Sequence, residues 1–415
     1  MSEKKNFSFP QGFLWGAATS SHQVEGHNTL NDWHEWELQG KTRHPSGDAC
    51  DQWHRYDEDF ALASSLGHNA HRLSIEWSRI EPSEGVFDQT ALEHYRQVIL
   101  SLKKHKLEPI VTLNHFTLPQ WFIKKDGWFH PKASKLFARY SEHVAKALGD
   151  DVRFWVTLNE PLVYLYKGYM EGVWPPGEKS LARALGGISK LVHAHIASYR
   201  AIKKSIPAHK RHDTHIGIAH NLVCFDPCNP RSWRDRWVAF LRHILYNRLF
   251  IDAIALPFFP KSLDFIGINY YTREFVEHSA STVIGNTCSQ QHEKHSAARN
   301  SLGWEIYPEG IYRVLNIFKG KKLPLYILEN GICTDRDEVR CEFVTSHLRG
   351  VAKAIQEGLP VHGYFHWSLL DNFEWAEGFD PRFGLVEVDF KTQKRTPRPS
   401  AHVLAQVCRS NSLSL

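Results

Sequence analysis

The sequence predicts a (β/α)8 barrel, and three observations predict it. Eight short apolar runs recur along the 415 residues, a helix-length stretch follows each, and polar side chains cluster where the runs end. Runs rich in Val, Ile, Leu and aromatics that lack strict alternation suit strands buried on both faces of a parallel sheet. Alternation of such strands with helices over modest connections closes into a barrel.

The first strand is expected at 13–18 and the helix after it at 57–66, ended by Gly67. The second strand, 70–75, leads to a helix at 90–106; the third, 109–113, leads to one at 134–148 that Pro131 precedes. The fourth, 152–158, is followed by 181–205, and the fifth, 215–219, by 232–254. The sixth, 263–268, precedes a helix at 308–319 that Pro308 opens. The seventh, 324–328, precedes 340–357, and the eighth, 361–367, precedes a short last helix at 400–407. Each helical stretch carries apolar residues near helical spacing. A doubly wound sheet is the competing arrangement, but no GxGxxG follows the first strand and no Walker motif occurs. Without an internal repeat, a low-complexity tract or a linker, one domain is expected over 1–415, with its core at about 7–408.

Composition narrows the function. Lys and Arg number 50 against 45 Asp and Glu, a net charge of +5, and the basic clusters at 209–212 and 391–398 are short, so no nucleic-acid partner is expected. Residues 1–10 carry early charges and no apolar segment, and no run of 18 apolar residues exists. The expectation is a cytoplasmic protein with no membrane partner. Seven cysteines, an odd number with no CxxC pair, read as reduced thiols. There is no HExxH, and His193/His195 and His212/His215 lie in helix-like or surface-like stretches, so neither metal nor other cofactor is expected. Aromatics make up 13%, and flat aromatic faces beside carboxylates are what sugar-binding clefts need.

In a barrel of this kind the site sits at the C-terminal ends of the strands. Those ends read Gln23 to Gly26 shortly after the first, Arg72 within the second, Asn114 and His115 at the third, and Asn159 and Glu160 at the fourth. Asn221 ends the fifth, Asn269, Tyr270 and Tyr271 the sixth, Glu329 and Asn330 the seventh, and Trp367 the eighth. Glu160 and Glu329 end separate strands that can face each other across the mouth, as paired-carboxylate glycoside hydrolysis requires.

The segments around these two residues, Thr157-Leu158-Asn159-Glu160-Pro161 and Glu329-Asn330-Gly331, resemble the two catalytic signatures of glycoside hydrolase family 1, the β-glucosidase family. The stretch 9–20 with Gln23, the stretch 72–79, and the stretches 370–375 and 382–385 are similar to that family's first strand, second strand and final loop. The resemblance runs from about residue 9 to about 407.

It implies a retaining, exo-acting β-glycosidase whose substrate is a small-molecule β-glycoside, with Glu160 as acid/base and Glu329 as nucleophile. Arg72 and Tyr271 would hold Glu329 ionised and aimed, and Asn159 would bond the sugar 2-hydroxyl. Gln23, His115, Asn269, Glu374 and Trp375 would grip other hydroxyls, Trp367 would stack beneath the ring, and Trp121 and Trp304 would wall the leaving-group side. Glu374 argues for a neutral sugar, because a carboxylate there repels a 6-phosphate. Carboxyls about 5–5.5 Å apart would keep Glu160 protonated through the charge of Glu329, by about 2 pK units at an effective dielectric of about 20.

A carbohydrate-binding protein with vestigial catalysis is the alternative. Two departures from the family pattern stand out. Leu328 replaces the usual Thr before the nucleophile, which predicts a looser strand end. The segment 223–263 is short, with Pro257 to Pro260 expected to close it abruptly and a wider cleft or a side cavity as the consequence.

Overall fold

Residues 6–255, 261–288 and 298–415 are described by a computed structural model. Eight parallel strands form its centre: β1 (Leu14–Ala18), β2 (Ala70–Ser74), β3 (Glu108–Asn114), β4 (Phe154–Asn159), β5 (His215–Pro227), β6 (Phe265–Ser279), β7 (Leu325–Asn330) and β8 (Val361–Trp367). Each pairs with its sequence neighbours, β8 pairs with β1, and β5 pairs with β6, so the sheet closes into a (β/α)8 barrel. The register brings the ends level: Ala18 lies beside Arg72 and Trp367, Asn114 beside Leu158, and Asn269 beside Glu329.

The barrel interior is filled by Leu14, Ala70, Ile110, Phe154, Val156, Ala219, Phe265, Tyr326, Leu328 and Phe365, so every strand contributes at least one side chain to a packed, apolar layer. Leu328 belongs to that layer and is fully buried. It occupies the space that Gly267 leaves on β6, where an added Cβ would meet Leu328 Cδ1 at 2.3 Å. The expected loosening is therefore replaced by packing: an apolar side chain fills the gap beside the glycine.

The outer helices are α1 (Gln52–Ser65), α2 (Gln89–Lys104), α3 (Ala133–Leu148), α4 (Leu181–Ser205), α5 (Trp233–Arg242), α6 (Leu249–Ile254), α7 (Glu309–Asn316), α8 (Asp337–Gln356) and α9 (Pro399–Ser410). Polar caps set several starts. Asp88 accepts from the amides of Thr90 and Ala91, Ser180 from Arg183 and Ser232 from Asp235. α1 begins five residues earlier than expected, behind Asp51 in the left-handed region. The stretch expected as one helix at 232–254 is α5, a π-helical turn at His243–Arg248, and α6. The expected abrupt closure at Pro257 to Pro260 lies outside the described residues.

Strands five and six run beyond the ends expected at 219 and 268. They continue as a ribbon to Pro227 and Ser279, and an antiparallel strand, Thr282–Thr287, adds to β6. This ribbon corrects the reading of all cysteines as reduced thiols. Cys228 and Cys288 follow strand ends on either side of β6, where their amides donate to the carbonyls of Val276 and Phe275, and their sulfurs are bonded. The pairing joins residues 60 apart in sequence, a proximity that spacing alone does not reveal. One His/Cys/Asp/Glu group among the described residues is close enough to hold an ion: Cys228, Glu277 and Cys288, whose two sulfurs are in this bond.

Candidate active site

The site is built around Arg72, buried on β2 with every guanidinium nitrogen engaged. Its Nε donates to Thr112 Oγ1 at 3.1 Å on β3, Nη2 to Asn159 Oδ1 at 2.6 Å on β4, and Nη1 to Glu329 Oε1 at 2.5 Å on β7. One side chain thus ties four strand ends together. Tyr271 Oη donates to the other Glu329 oxygen at 2.6 Å. Asn330, next in sequence, is clamped by donating to Tyr270 O at 2.7 Å and accepting from Tyr364 Oη at 2.9 Å, which fixes the end of β7.

Glu160 sits where β4 turns into the short helix Pro161–Leu165, in a left-handed conformation with φ 44°. That region is unfavourable for a non-glycine residue and persists where surrounding structure over-determines it. Two amides donate to the same carboxyl oxygen, Asn269 to Oε1 at 2.7 Å and Asn221 to Oε1 at 3.2 Å. Oε2 receives neither. Asn269 also reaches Asn159 Oδ1 at 3.2 Å, so the chain Glu160–Asn269–Asn159–Arg72–Glu329 links the two carboxyls through side chains alone.

Burial dominates the electrostatics. It pushes the Glu160 carboxyl up to about 8, with the Glu329 charge the second cause and the two asparagine hydrogen bonds opposing. The expected contribution of the Glu329 charge is present, and desolvation adds a larger one, because the barrel mouth removes water from a carboxyl that has no cation bonded to it. Burial also raises Glu329, but there Arg72 and Tyr271 pull back by charge and hydrogen bonds. Both carboxyls are thus raised, but only Glu329 has a cation and a phenol bonded to it, which favour its charged form over that of Glu160.

His115 accepts from Asn159 Nδ2 at its Nε2, 3.1 Å away, which leaves the proton on Nδ1. That Nδ1 is buried and has no partner, and burial holds the ring well below its ordinary pKa. A neutral imidazole with one free N–H is a donor waiting for a hydroxyl. Gln23 donates to Asn372 Oδ1 at 2.8 Å and Phe373 O at 2.9 Å, and reaches Glu374 Oε2 at 3.4 Å. Glu374 accepts from Trp367 Nε1 at 3.2 Å, and burial raises its carboxyl to about 8. Trp375, at φ 56°, is stacked between His22 and His115 at interplanar angles of 11° and 18°.

The structure therefore brings Gln23, Arg72, His115, Asn159, Glu160, Asn269, Tyr271, Glu329, Trp367, Glu374 and Trp375 to one end of the barrel. Trp304 joins them at the rim, its ring 5.7 Å from that of Tyr271 and its surface 38% exposed. Trp121 is not brought to this group. Its indole donates to Glu81 O at 2.7 Å, and its ring packs against Trp77 and Phe122, behind the wall. Phe116, directly after His115, takes the inward place at φ 72°, against Trp174 and Trp375. Sequence reasoning singled out neither Phe116, Trp174 and Asn372 nor Tyr246, whose hydroxyl donates to Asn221 Oδ1 at 2.9 Å. Adjacency to His115 was the available signal for Phe116, and a place in the family-like stretch 370–375 for Asn372; nothing in spacing marked the other two.

A closed eight-stranded parallel barrel whose mouth holds two buried glutamates on different strands, among aromatic rings and inward-facing amides, defines a glycoside hydrolase. The sequence model of "Glycosyl hydrolase family 1" matches residues 5–262 and 247–413. The 1,4-beta-D-glucan glucohydrolase of Thermotoga neapolitana is 34% identical, the match covering 98% of this chain and 99% of that one. The beta-galactosidase of Pyrococcus woesei is 31% identical over 98% of each. Among solved structures, the beta-glycosidase from Pyrococcus horikoshii is 41% identical and superimposes with a TM-score of 0.91, covering 99% of this chain and 96% of that chain. The chain belongs to glycosyl hydrolase family 1 and is a β-glycosidase of that family.

Proposed function

We propose that the protein is a retaining, exo-acting β-glucosidase for non-phosphorylated β-glucosides, with β-galactosides and β-fucosides as lesser substrates. The observation that carries the reading is the unequal treatment of two buried carboxyls: Glu329 is held by Arg72 and Tyr271, whereas Glu160 is held by neutral amides only. In the first step Glu329 attacks the anomeric carbon while Glu160 gives its proton to the departing oxygen. Because Asn221 and Asn269 both donate to Oε1, the acid proton belongs on Oε2. The ester formed on Glu329 has no charge, so the pKa of Glu160 falls and its carboxylate can take a proton from the incoming water. Asn159 meets the 2-hydroxyl, and the free His115 N–H, Gln23 and Glu374 meet the others.

Support for exo action comes from the end of the site beyond Glu329, where buried Gln23, Trp367 and Trp375 and the half-buried Glu374 stand together. The Glu374 carboxyl supports a neutral sugar. A cytoplasmic place is supported by the five cysteines that remain thiols, while the Cys228–Cys288 bond runs against it. The test is proton NMR of a β-glucoside during the first minutes of hydrolysis. Retention requires β-glucose to appear first, with the α anomer following by mutarotation. Early α-glucose, or no release at all, contradicts the proposal.

A further inference from the structure

Helix α5 presents two unlike faces. Its inner face is spent: Asp235, Val238 and Ala239 are buried, Asp235 accepts from the amides of Asn229 and His278, and Val238 packs at Gly285 of the hairpin. Arg242, at its end, donates to the carbonyls of Ile284 and Gly285. The outer face carries Trp233, Trp237 and Phe240, exposed by 71%, 57% and 54%, at the i, i+4, i+7 spacing of one helical stripe. Arg231, Arg234 and Arg236 are exposed around it. The sole carboxylate between Arg231 and Arg242 is Asp235, which is buried, so no acidic group on the helix offsets their charge.

We propose that this face of α5 docks the protein on an anionic lipid surface. Three large aromatic rings in water are a cost that a monomer rarely carries without a use. Trp is suited to the headgroup level of a bilayer, where its ring is apolar and its N–H is hydrated. Arginines beside it match the negative potential of anionic headgroups, and this combination marks a helix that lies in the interface plane. Charge also selects against a second copy as the occupant, because two such faces would set arginine against arginine.

The absence of a long apolar run excludes a spanning helix, and no helix among the described residues is long and apolar enough to cross a membrane. Neither fact bears on a ten-residue helix lying flat. α5 packs on the ends of β5 and β6 that project past the barrel on the side of Glu160 and Glu329, so docking would hold the mouth beside the surface.

The proposal is independent of the catalytic reading, and co-sedimentation with vesicles tests it. Vesicles of phosphatidylcholine with phosphatidylglycerol should carry down at least tenfold more protein than phosphatidylcholine alone, with the excess lost at high salt. The Trp233→Ser/Trp237→Ser/Phe240→Ser variant should lose binding, as should Arg231→Ser/Arg234→Ser/Arg236→Ser, while both keep wild-type activity on a soluble aryl glycoside. Equal recovery from both vesicle types, or variants that bind like wild type, would overturn the proposal. A dimer that the aromatic variant dissociates, without vesicle binding by wild type, would overturn it too and assign the face to a second copy.

Discussion

Tyr246 Oη donates to Asn221 Oδ1 at 2.9 Å and so decides which end of that amide faces Glu160. With its oxygen occupied, Asn221 turns Nδ2 to Glu160 Oε1. The π-helical turn bearing Tyr246 is itself fixed to β5. His220 Nε2 donates to Tyr246 O at 3.0 Å, and Asn247 bonds both the amide and the carbonyl of Val223.

Tyr246→Phe should therefore act on Glu160 through Asn221. An amide that donates favours the ionised carboxyl, so losing that donation raises the Glu160 pKa. The alkaline limb of kcat/KM should move to higher pH by roughly half to one unit in Asn221→Ala, the scale of one net hydrogen bond, and by less in Tyr246→Phe. Adding Tyr246→Phe to Asn221→Ala should move it no further. Equal displacement in both backgrounds would show that Tyr246 works by another route.

The free enzyme should lose kcat/KM on the alkaline side near pH 8, because the form with Glu160 protonated is the one that can assist departure. Glu160→Gln should abolish that limb. It should lower kcat/KM by about 10²–10⁴ for alkyl glucosides, whose leaving groups need a proton, and by far less for a dinitrophenyl glucoside. A limb that survives the substitution would belong to another group.

Tyr271→Phe removes a hydrogen bond to a charged carboxylate, worth about 1.5–3 kcal/mol, so kcat/KM should fall by roughly 10- to 150-fold. Since that bond lowers the Glu329 pKa, the acid limb should move upward. Steady-state rates across pH check both effects, and a fall in rate with an unmoved acid limb would separate positioning from charge stabilisation.

Leu328→Ala should destabilise the barrel by about 2–5 kcal/mol, as expected for emptying a buried leucine site beside a glycine. Denaturant unfolding reads this, with the midpoint lowered and the slope unchanged.

The barrel was legible because its strands are buried on both faces and therefore mostly apolar, and because most of its chemistry stands at their ends: Arg72, Glu160, Tyr271 and Glu329 were placed by strand order together with the family motifs. Residues fixed by long-range packing were not. Trp121 lies six positions after His115, yet its indole turns back to Glu81 and Phe116 takes the inward place. The ribbon of β5 and β6 continues past the barrel on pairing between strands distant in sequence, which carries Cys228 to Cys288. Tyr246 reaches Asn221 only because a π-helical turn interrupts a stretch whose spacing reads as one continuous helix.

The central claim is that Glu329 carries the sugar as a covalent ester. Glu329→Ala in the presence of azide tests it most directly. The variant should be inert toward an activated aryl β-glucoside, and azide should restore release and yield α-glucosyl azide, the anion having entered from the face that Glu329 vacates. Turnover without azide at the wild-type rate, or a β-configured azide product, would contradict the account.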